Sequence, residues 1–257
     1  MSLLRTRSKN GRGQNQIETS LLPISKNKEQ IENEEYSTMK KEITNKTEKH
    51  TTHDSKTTSP THLENNEEKT HVSWKPGTLI YPLPAVLVSC GSSPKDYNIL
   101  TISWVGTICT NPPMCYISVR PERHSYDIIK KTREFVINLT NEDMAFATDW
   151  CGVKSGKDHN KFAEMKLTPV KGEMVKAPII KESPLCIECK VTEIIKLGSH
   201  DMFIAKVINV QADSKYIDTE TDTFKLAEAK LIAYSHGHYY KLGEEIGKFG
   251  WTVKKKK

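Results

Sequence analysis

The chain is 257 residues long, with 38 Lys and Arg against 32 Asp and Glu and a net charge of +6. The basic residues are mixed with acidic ones along the chain rather than gathered on one predicted face, so nucleic-acid binding is not expected. No apolar run approaches the roughly 20 residues that span a bilayer, and the N-terminus lacks the apolar centre of a secretory signal; a soluble, cytoplasmic protein with no membrane partner is expected.

Residues 1–71 are rich in Asn, Lys, Thr, Glu and Ser and nearly empty of aromatic side chains. Such a stretch cannot bury enough apolar surface to offset the entropy of ordering itself, which predicts a disordered extension. Arg5, Arg7 and Arg12 precede the first acid, Glu18, so an organellar transit peptide is the alternative reading of this end, although no clear amphipathic pattern follows. Residues 72–257 are long enough for one domain with a substantial core. The Lys254 to Lys257 run reads as a solvated tail.

From Val72 onward the predicted elements are mostly strands. Ala85 to Cys90, Ile99 to Trp104, Met114 to Arg120, Glu134 to Leu139, Leu185 to Leu197 and Met202 to Ala212 carry β-branched and aromatic content. Asp127 to Thr132 and Glu142 to Trp150 read as short helices. Strands at short spacing, punctuated by Pro, Gly and Asn, predict a mainly β fold, an antiparallel barrel with short helices, rather than alternating βα units. No G-x-G-x-x-G follows a strand, which argues against a Rossmann domain.

Asn111 to Tyr126, NPPMCYISVRPERHSY, carries the most local chemistry. Met114, Tyr116, Ser118 and Arg120 share one side of an extended segment, and Cys115, Ile117 and Val119 share the other. Pro121 ends the strand, and a helix start follows at which His124 or Ser125 is a candidate cap. Free backbone N–H groups at such a terminus attract phosphate, and the adjoining Arg123 can add a planar, doubly donating cation. The plainer reading makes Arg120 and Arg123 surface cations and Ser125 an ordinary cap. Local chemistry by itself leaves both open.

The spacing Cys186-Ile-Glu-Cys189 invites a metal or redox reading. PLCIECKVTEII, however, alternates as a strand does and sends residues three apart to opposite faces. With no second pair to complete a zinc site, both cysteines are expected to pack within the sheet and no metal is expected.

TISWVGTICTNPP, Thr101 to Pro113, followed by ISVRPERHSY, resembles the flavin reductase-like family of FMN-binding split barrels, in its flavoredoxin branch. The resemblance runs on through CGVKSGKDHNKF (Cys151 to Phe162), GSHDMFIAKV (Gly198 to Val207) and the closing YYKLGEEIGKFG, covering essentially everything after about His71. It implies an FMN-binding split barrel, in agreement with the independent strand reading. It also implies that the backbone and hydroxyls around Ser103, Trp104 and Thr107 contact the isoalloxazine and ribityl groups, that Ser118 lies under the cofactor, and that Arg123, His124 and Ser125 fall where the family binds the phosphate. Thr101, with Ser103 and Thr107, supplies hydroxyls, and Gly106 leaves room for backbone N–H groups to approach the ring. In the loop Ser155 to Phe162, Lys157 or Lys161 could add charge at the phosphate, Lys161 being the one assigned. His200, in Gly198-Ser199-His200-Asp201, resembles the Gly-Asp-His turn whose His lies beside flavin and nicotinamide, with Ser199 in place of the acid. The plainer readings are a core Trp104 and a turn histidine that bonds backbone carbonyls.

Many flavin reductases carry small hydroxyl residues where this chain has Arg123 and His124, which matches the flavoredoxin branch and leaves the electron donor open. The resemblance thus implies an FMN-dependent oxidoreductase. It is either an NAD(P)H-linked flavin reductase, with NADH or NADPH as donor, or a flavoredoxin-like electron-transfer protein with a redox-protein partner. A non-catalytic FMN-binding or FMN-storage protein is the alternative, and an unrelated β-barrel binding module a more distant one. A homodimer is implied in the same way. No acid–base catalyst is assigned, because the flavin would carry the redox chemistry.

Overall fold

The computed structural model describes residues 71–253. The readings of the N-terminal stretch as a disordered extension or transit peptide, all but His71, and of Lys254 to Lys257 as a tail lie outside the described residues. The unit from Trp74 onward contains β1 (Leu83–Pro84), β2 (Val86–Cys90), β3 (Asn98–Ile102), β4 (Val105–Thr110), β5 (Pro113–Val119), β6 (Glu134–Leu139), β7 (Pro169–Lys171), β8 (Pro178–Ile180), β9 (Leu185–Lys196), β10 (Asp201–Ala212), β11 (Ile217–Asp218), β12 (Thr223–Phe224), β13 (Ile232–Ser235) and β14 (His238–Lys241). Three helices accompany them: α1 (His124–Thr132), α2 (Ala145–Val153) and α3 (Lys161–Glu164). None of the described helices is long and apolar enough to cross a membrane.

Seven strands form one antiparallel sheet in the order β3-β2-β6-β9-β10-β5-β4. β3 and β4 stand at opposite edges, yet only Ser103 and Trp104 separate them in the chain. Three Cα steps reach about 11 Å, whereas a flat sheet of this size is roughly 29 Å wide. The sheet therefore curls until its edges meet, which makes a barrel split along the seam between β3 and β4. Next to that seam the Ser118 N–H donates to the Trp104 carbonyl at 2.9 Å, which carries the β4–β5 ladder up to the corner. The architecture is the mainly β split barrel with short helices that the sequence predicts.

Strand alternation fills the barrel. Val86, Val88, Leu100, Ile102, Ile117, Val119, Phe135, Ile137, Val191 and Phe203 meet in one buried cluster, each large side chain contributing about 1.5–3 kcal/mol by leaving water. On the outer side of β2 and β3, Leu87 and Ile99 pack with Met144, Ala147, Cys151 and Phe162 around α2 and α3. That second layer is why β2 is buried along its whole length. β3 stops at Ile102, short of the predicted Trp104, because Ser103 and Trp104 turn the corner that closes the barrel. β4 and the closing hairpin β13–β14 escaped prediction: most of β4 is exposed or half-buried, and its sequence has no clean apolar alternation. The second predicted helix begins as a 3₁₀ turn, Glu142–Met144, capped by the Asn141 side chain, which accepts from the Met144 N–H at 3.1 Å.

Cys186 lies in an outer cluster and Cys189 inside the barrel, on opposite faces of β9 as the alternation requires. Inside, the Cys189 sulfur stands 3.5 Å from that of Cys115. All six cysteines are free. Burial pushes the Cys90 thiol up to about 12 and those of Cys151 and Cys186 up to about 11, so all three are unreactive packing groups near neutral pH.

Candidate functional site

The seam opens into a cleft of about 340 Å³ lined by Leu100, Thr101, Ile102, Ser103, Trp104, Ser118, Val119, Arg120, Arg123, His200 and Tyr234. Because Ser103 and Trp104 lie between strands, their side chains project at the split rather than into a continuous sheet. The Trp104 ring, 37% exposed, packs against His200 with ring centroids 4.3 Å apart and an interplanar angle of 44°. The Ser199 hydroxyl and His200 Nδ1 are 2.9 Å apart. Burial, reinforced by the Arg120 cation, holds His200 below its ordinary range and so neutral at pH 7. The next residue, Asp201, turns inward and accepts from the Tyr126 hydroxyl at 2.6 Å, which fastens the His200 turn to α1. That hydrogen bond is the main reason the Tyr126 hydroxyl is pushed up to about 12.

A second cleft, of about 280 Å³, adjoins the first and shares Leu100 and Arg123 with it; Asn98, Glu122, His124, Ser125, Lys154, Ser155, Gly156 and Lys161 complete its lining. α1 points its N-terminus here. The sequence predicts His124 or Ser125 as the cap, but the capping residue is Arg123, whose side chain makes no capping bond. Ser125 is instead buried within the first turn, where its hydroxyl accepts from the Asn98 side-chain amide at 2.7 Å. The first N–H groups of the helix thus keep their capacity to bind an anion. Gly156 lies so close to Asn98 that an added Cβ would stand 2.1 Å from Asn98 Oδ1, which explains a glycine at this point of the loop.

Lys161 supplies the decisive electrostatics. It is only 4% exposed, and its ammonium donates to the Ile99 carbonyl at 2.8 Å and the Cys151 carbonyl at 2.7 Å. An ammonium has three protons to donate. Among the described residues no acid forms an ion pair with it. Burial holds the Lys161 ammonium below its ordinary range, and the Arg123 cation acts in the same direction. Arg123, more exposed, donates one guanidinium N–H to the Gly152 carbonyl at 3.2 Å and keeps its remaining donors for the cleft. Two adjoining cations, one of them dehydrated, and an uncapped helix start are groups that can hold a compact anion.

Among the residues singled out from the sequence, Thr101, Ser103, Trp104, Ser118, Arg123 and His200 come together in the first cleft, and Arg123, His124, Ser125 and Lys161 in the second. The Thr101 hydroxyl is already engaged, donating to the Thr148 carbonyl at 2.5 Å. Thr107 lines neither cleft and stands exposed on β4. Sequence reasoning missed Asn98, Lys154 and Tyr234. Asn98 did carry a signal, an amide in an apolar strand, whereas Tyr234 arrives from a hairpin far along the chain and no local pattern announces it.

A flavin reductase like domain matches residues 78–243. The chain belongs to the flavin reductase-like family. The flavoredoxin of Desulfovibrio vulgaris (Miyazaki F) is similar in structure, with a TM-score of 0.67 and 29% identity, covering 72% of this chain and 100% of that one, which places the chain in the flavoredoxin branch. An uncharacterized protein of Pyrococcus abyssi is 33% identical over 130 residues, 51% of this chain and 74% of that protein. The reductase component of a 4-nitrophenol 4-monooxygenase/4-nitrocatechol 2-monooxygenase from Rhodococcus opacus is 31% identical over 117 residues, 44% of this chain and 57% of that protein.

Proposed function

We propose that the two adjoining clefts hold FMN, its isoalloxazine in the first and its phosphate in the second. The protein is then an FMN-dependent oxidoreductase that draws electrons from NADH or NADPH or passes them between redox proteins. The observation that carries this reading is Lys161: a buried ammonium without an acid partner costs several kcal/mol unless an anion completes it, and the cleft it faces offers room for one. Bound FMN would supply the redox chemistry.

On this reading Lys161, Arg123 and the first N–H groups of α1 hold the phosphate, with His124 and Ser125 beside it. Ser103 and Ser118 offer donors to the ring system, and Trp104 with His200 shields one side of the cleft from water. The neutral His200 adds no further positive charge near the ring. Electron transfer is favoured over storage because the seam leaves Trp104 and the cleft mouth open to an approaching donor. The exposed face of β4, with Ile108 48% exposed, supports a homodimer in which a second copy covers this side. Six free thiols suit the reducing cytoplasm.

The test is to load the protein with FMN and mix it anaerobically with NADH or NADPH. Rapid bleaching with either supports the reductase. Bleaching only by a reduced redox protein supports the flavoredoxin-like role, and no bleaching by any of these leaves a carrier. Failure to take up FMN at all overturns the reading.

A further inference from the structure

The turn between β9 and β10 brings His200 to the first cleft with little packing of its own. Leu197, Gly198 and Ser199 are all exposed, and Gly198, at φ 93°, has open space where a side chain would stand. The Leu197 N–H donates to the His200 carbonyl at 3.1 Å, and the ladder begins at once with Asp201, paired to Lys196 on β9 and to Val119 on β5. These bonds shape the backbone of the turn and leave its tilt over the cleft to side chains. Two side chains supply it: the His200 ring, against Trp104 on the cleft side, and the Asp201 carboxylate on the core side.

Asp201 is buried, and among the described residues no cation forms an ion pair with it; its side chain takes the Tyr126 hydroxyl instead. Tyr126 is buried too, its ring edge-on to Phe203 with centroids 5.4 Å apart and planes at 79°. Phe203 follows Asp201 by two positions on β10 and so shares its face. Tyr126 therefore meets β10 twice, through ring packing and through a hydrogen bond. Packing tolerates sliding, whereas a hydrogen bond to a carboxylate is directional and roughly twice as strong as a neutral one. The hydroxyl is thus the part of Tyr126 that decides where Asp201 stands, and with it His200. Tyr126 also belongs to the first turn of α1, in which Arg123, His124 and Ser125 border the second cleft. One helical turn faces the anion-binding groups and grips the His200 turn at the same time.

We propose that Tyr126 and Asp201 are positioning residues for the ring-binding cleft: their hydrogen bond sets where His200, and the Trp104 ring packed on it, stand over that cleft relative to the first turn of α1. Neither residue lines a cleft, so both act through His200. The consequence for a flavin rests on the reading that the first two clefts hold FMN; the placement of His200 does not.

Proton NMR titration of the His200 imidazole in the flavin-free, full-length protein tests this, with Tyr126→Phe and Asp201→Asn alongside. Arg120, Glu122 and Arg123, the charged groups that act on His200, are untouched in both. Tyr126→Phe keeps the ring on Phe203 and so the fold, but frees the turn; His200 should regain water and titrate at higher pH than in the wild type. Asp201→Asn keeps an acceptor for the hydroxyl and should give no such rise, because losing the negative charge works in the opposite direction. In equilibrium dialysis Tyr126→Phe should weaken FMN and riboflavin alike, by roughly three- to tenfold, the scale of one hydrogen bond, since the ring side and not the phosphate side is disturbed. The proposal is overturned if Tyr126→Phe leaves the His200 titration in place, if Asp201→Asn raises it equally, or if the two flavins do not weaken together. Wild-type protein that binds neither flavin sinks the FMN reading, while the His200 titration still decides the positioning role.

Discussion

Glu188 and Lys161 are buried to nearly the same depth, 0% and 4% exposed, and carry opposite charges. Glu188, on β9, is enclosed by its own structure. Its carboxylate accepts from the backbone N–H groups of Glu173, Met174 and Val175 at 3.2, 2.7 and 2.9 Å and from the side chains of Asn209 and Gln211 at 2.9 and 2.7 Å. Burial by itself would raise its pKa; the donors, Gln211 first, outweigh burial and leave it below the ordinary value. Lys161 has two carbonyls, a neighbouring cation and a cleft. A buried charge that the fold completes is structural, and one left incomplete beside a cavity is where the proposed phosphate would complete it.

The largest effect should come from Glu188→Gln, which turns a donor-bearing amide toward five donors. About 3 kcal/mol of stability should be lost in urea unfolding, while the ratio of FMN to riboflavin affinity stays as in the wild type. A loss below about 1 kcal/mol would erase the distinction between the two sites. The pH dependence follows with its sign. A carboxyl depressed in the folded state adds stability that is present above its unfolded value of about 4.3 and is lost as pH falls through the folded value. Urea midpoints from pH 7 to 3 should therefore fall more steeply for the wild type than for Glu188→Gln.

Lys161→Met sharpens the other half. FMN affinity should drop by about 1.5–3 kcal/mol, roughly 10- to 100-fold, with riboflavin nearly unaffected because it lacks the phosphate. Apo stability should move by less than about 1 kcal/mol, since removing an uncompensated buried cation offsets the two lost carbonyl bonds. Equal loss of both ligands would show that Lys161 acts on the fold rather than on the phosphate.

Tyr126→Phe, which deprives the buried Asp201 carboxylate of its hydroxyl donor, should cost about 1.5 kcal/mol of stability in the same unfolding assay. The smallest effect belongs to Arg123→Ala. Its guanidinium is exposed, so FMN affinity should fall by about 1 kcal/mol and more so at low salt than at high. A salt-independent loss would contradict a role for its charge.

Much of the barrel was legible because its signals are local. Cys115, Ile117 and Val119 alternate with Met114, Tyr116 and Ser118 in the sequence and are buried and half-buried in turn in β5. The two cysteines of β9 separate to opposite faces by the same rule. The site was legible in part. Arg123 and Ser125 both line the second cleft, but the expected cap does not exist, because Ser125 is claimed by Asn98, 27 positions earlier in the chain.

The chain's own order of residues determined strand identity, the helix start after Pro121 and the family pattern, since a period of two or a proline acts within a few residues. Only the folded arrangement decided that Lys161 would lose its water while Lys157 kept its own, that Tyr234 would reach the first cleft, and that Ser103 and Trp104 would stand at a seam. Desolvation depends on which distant segments cover a group, and barrel closure depends on which edges meet; neither quantity is a property of any short stretch of chain.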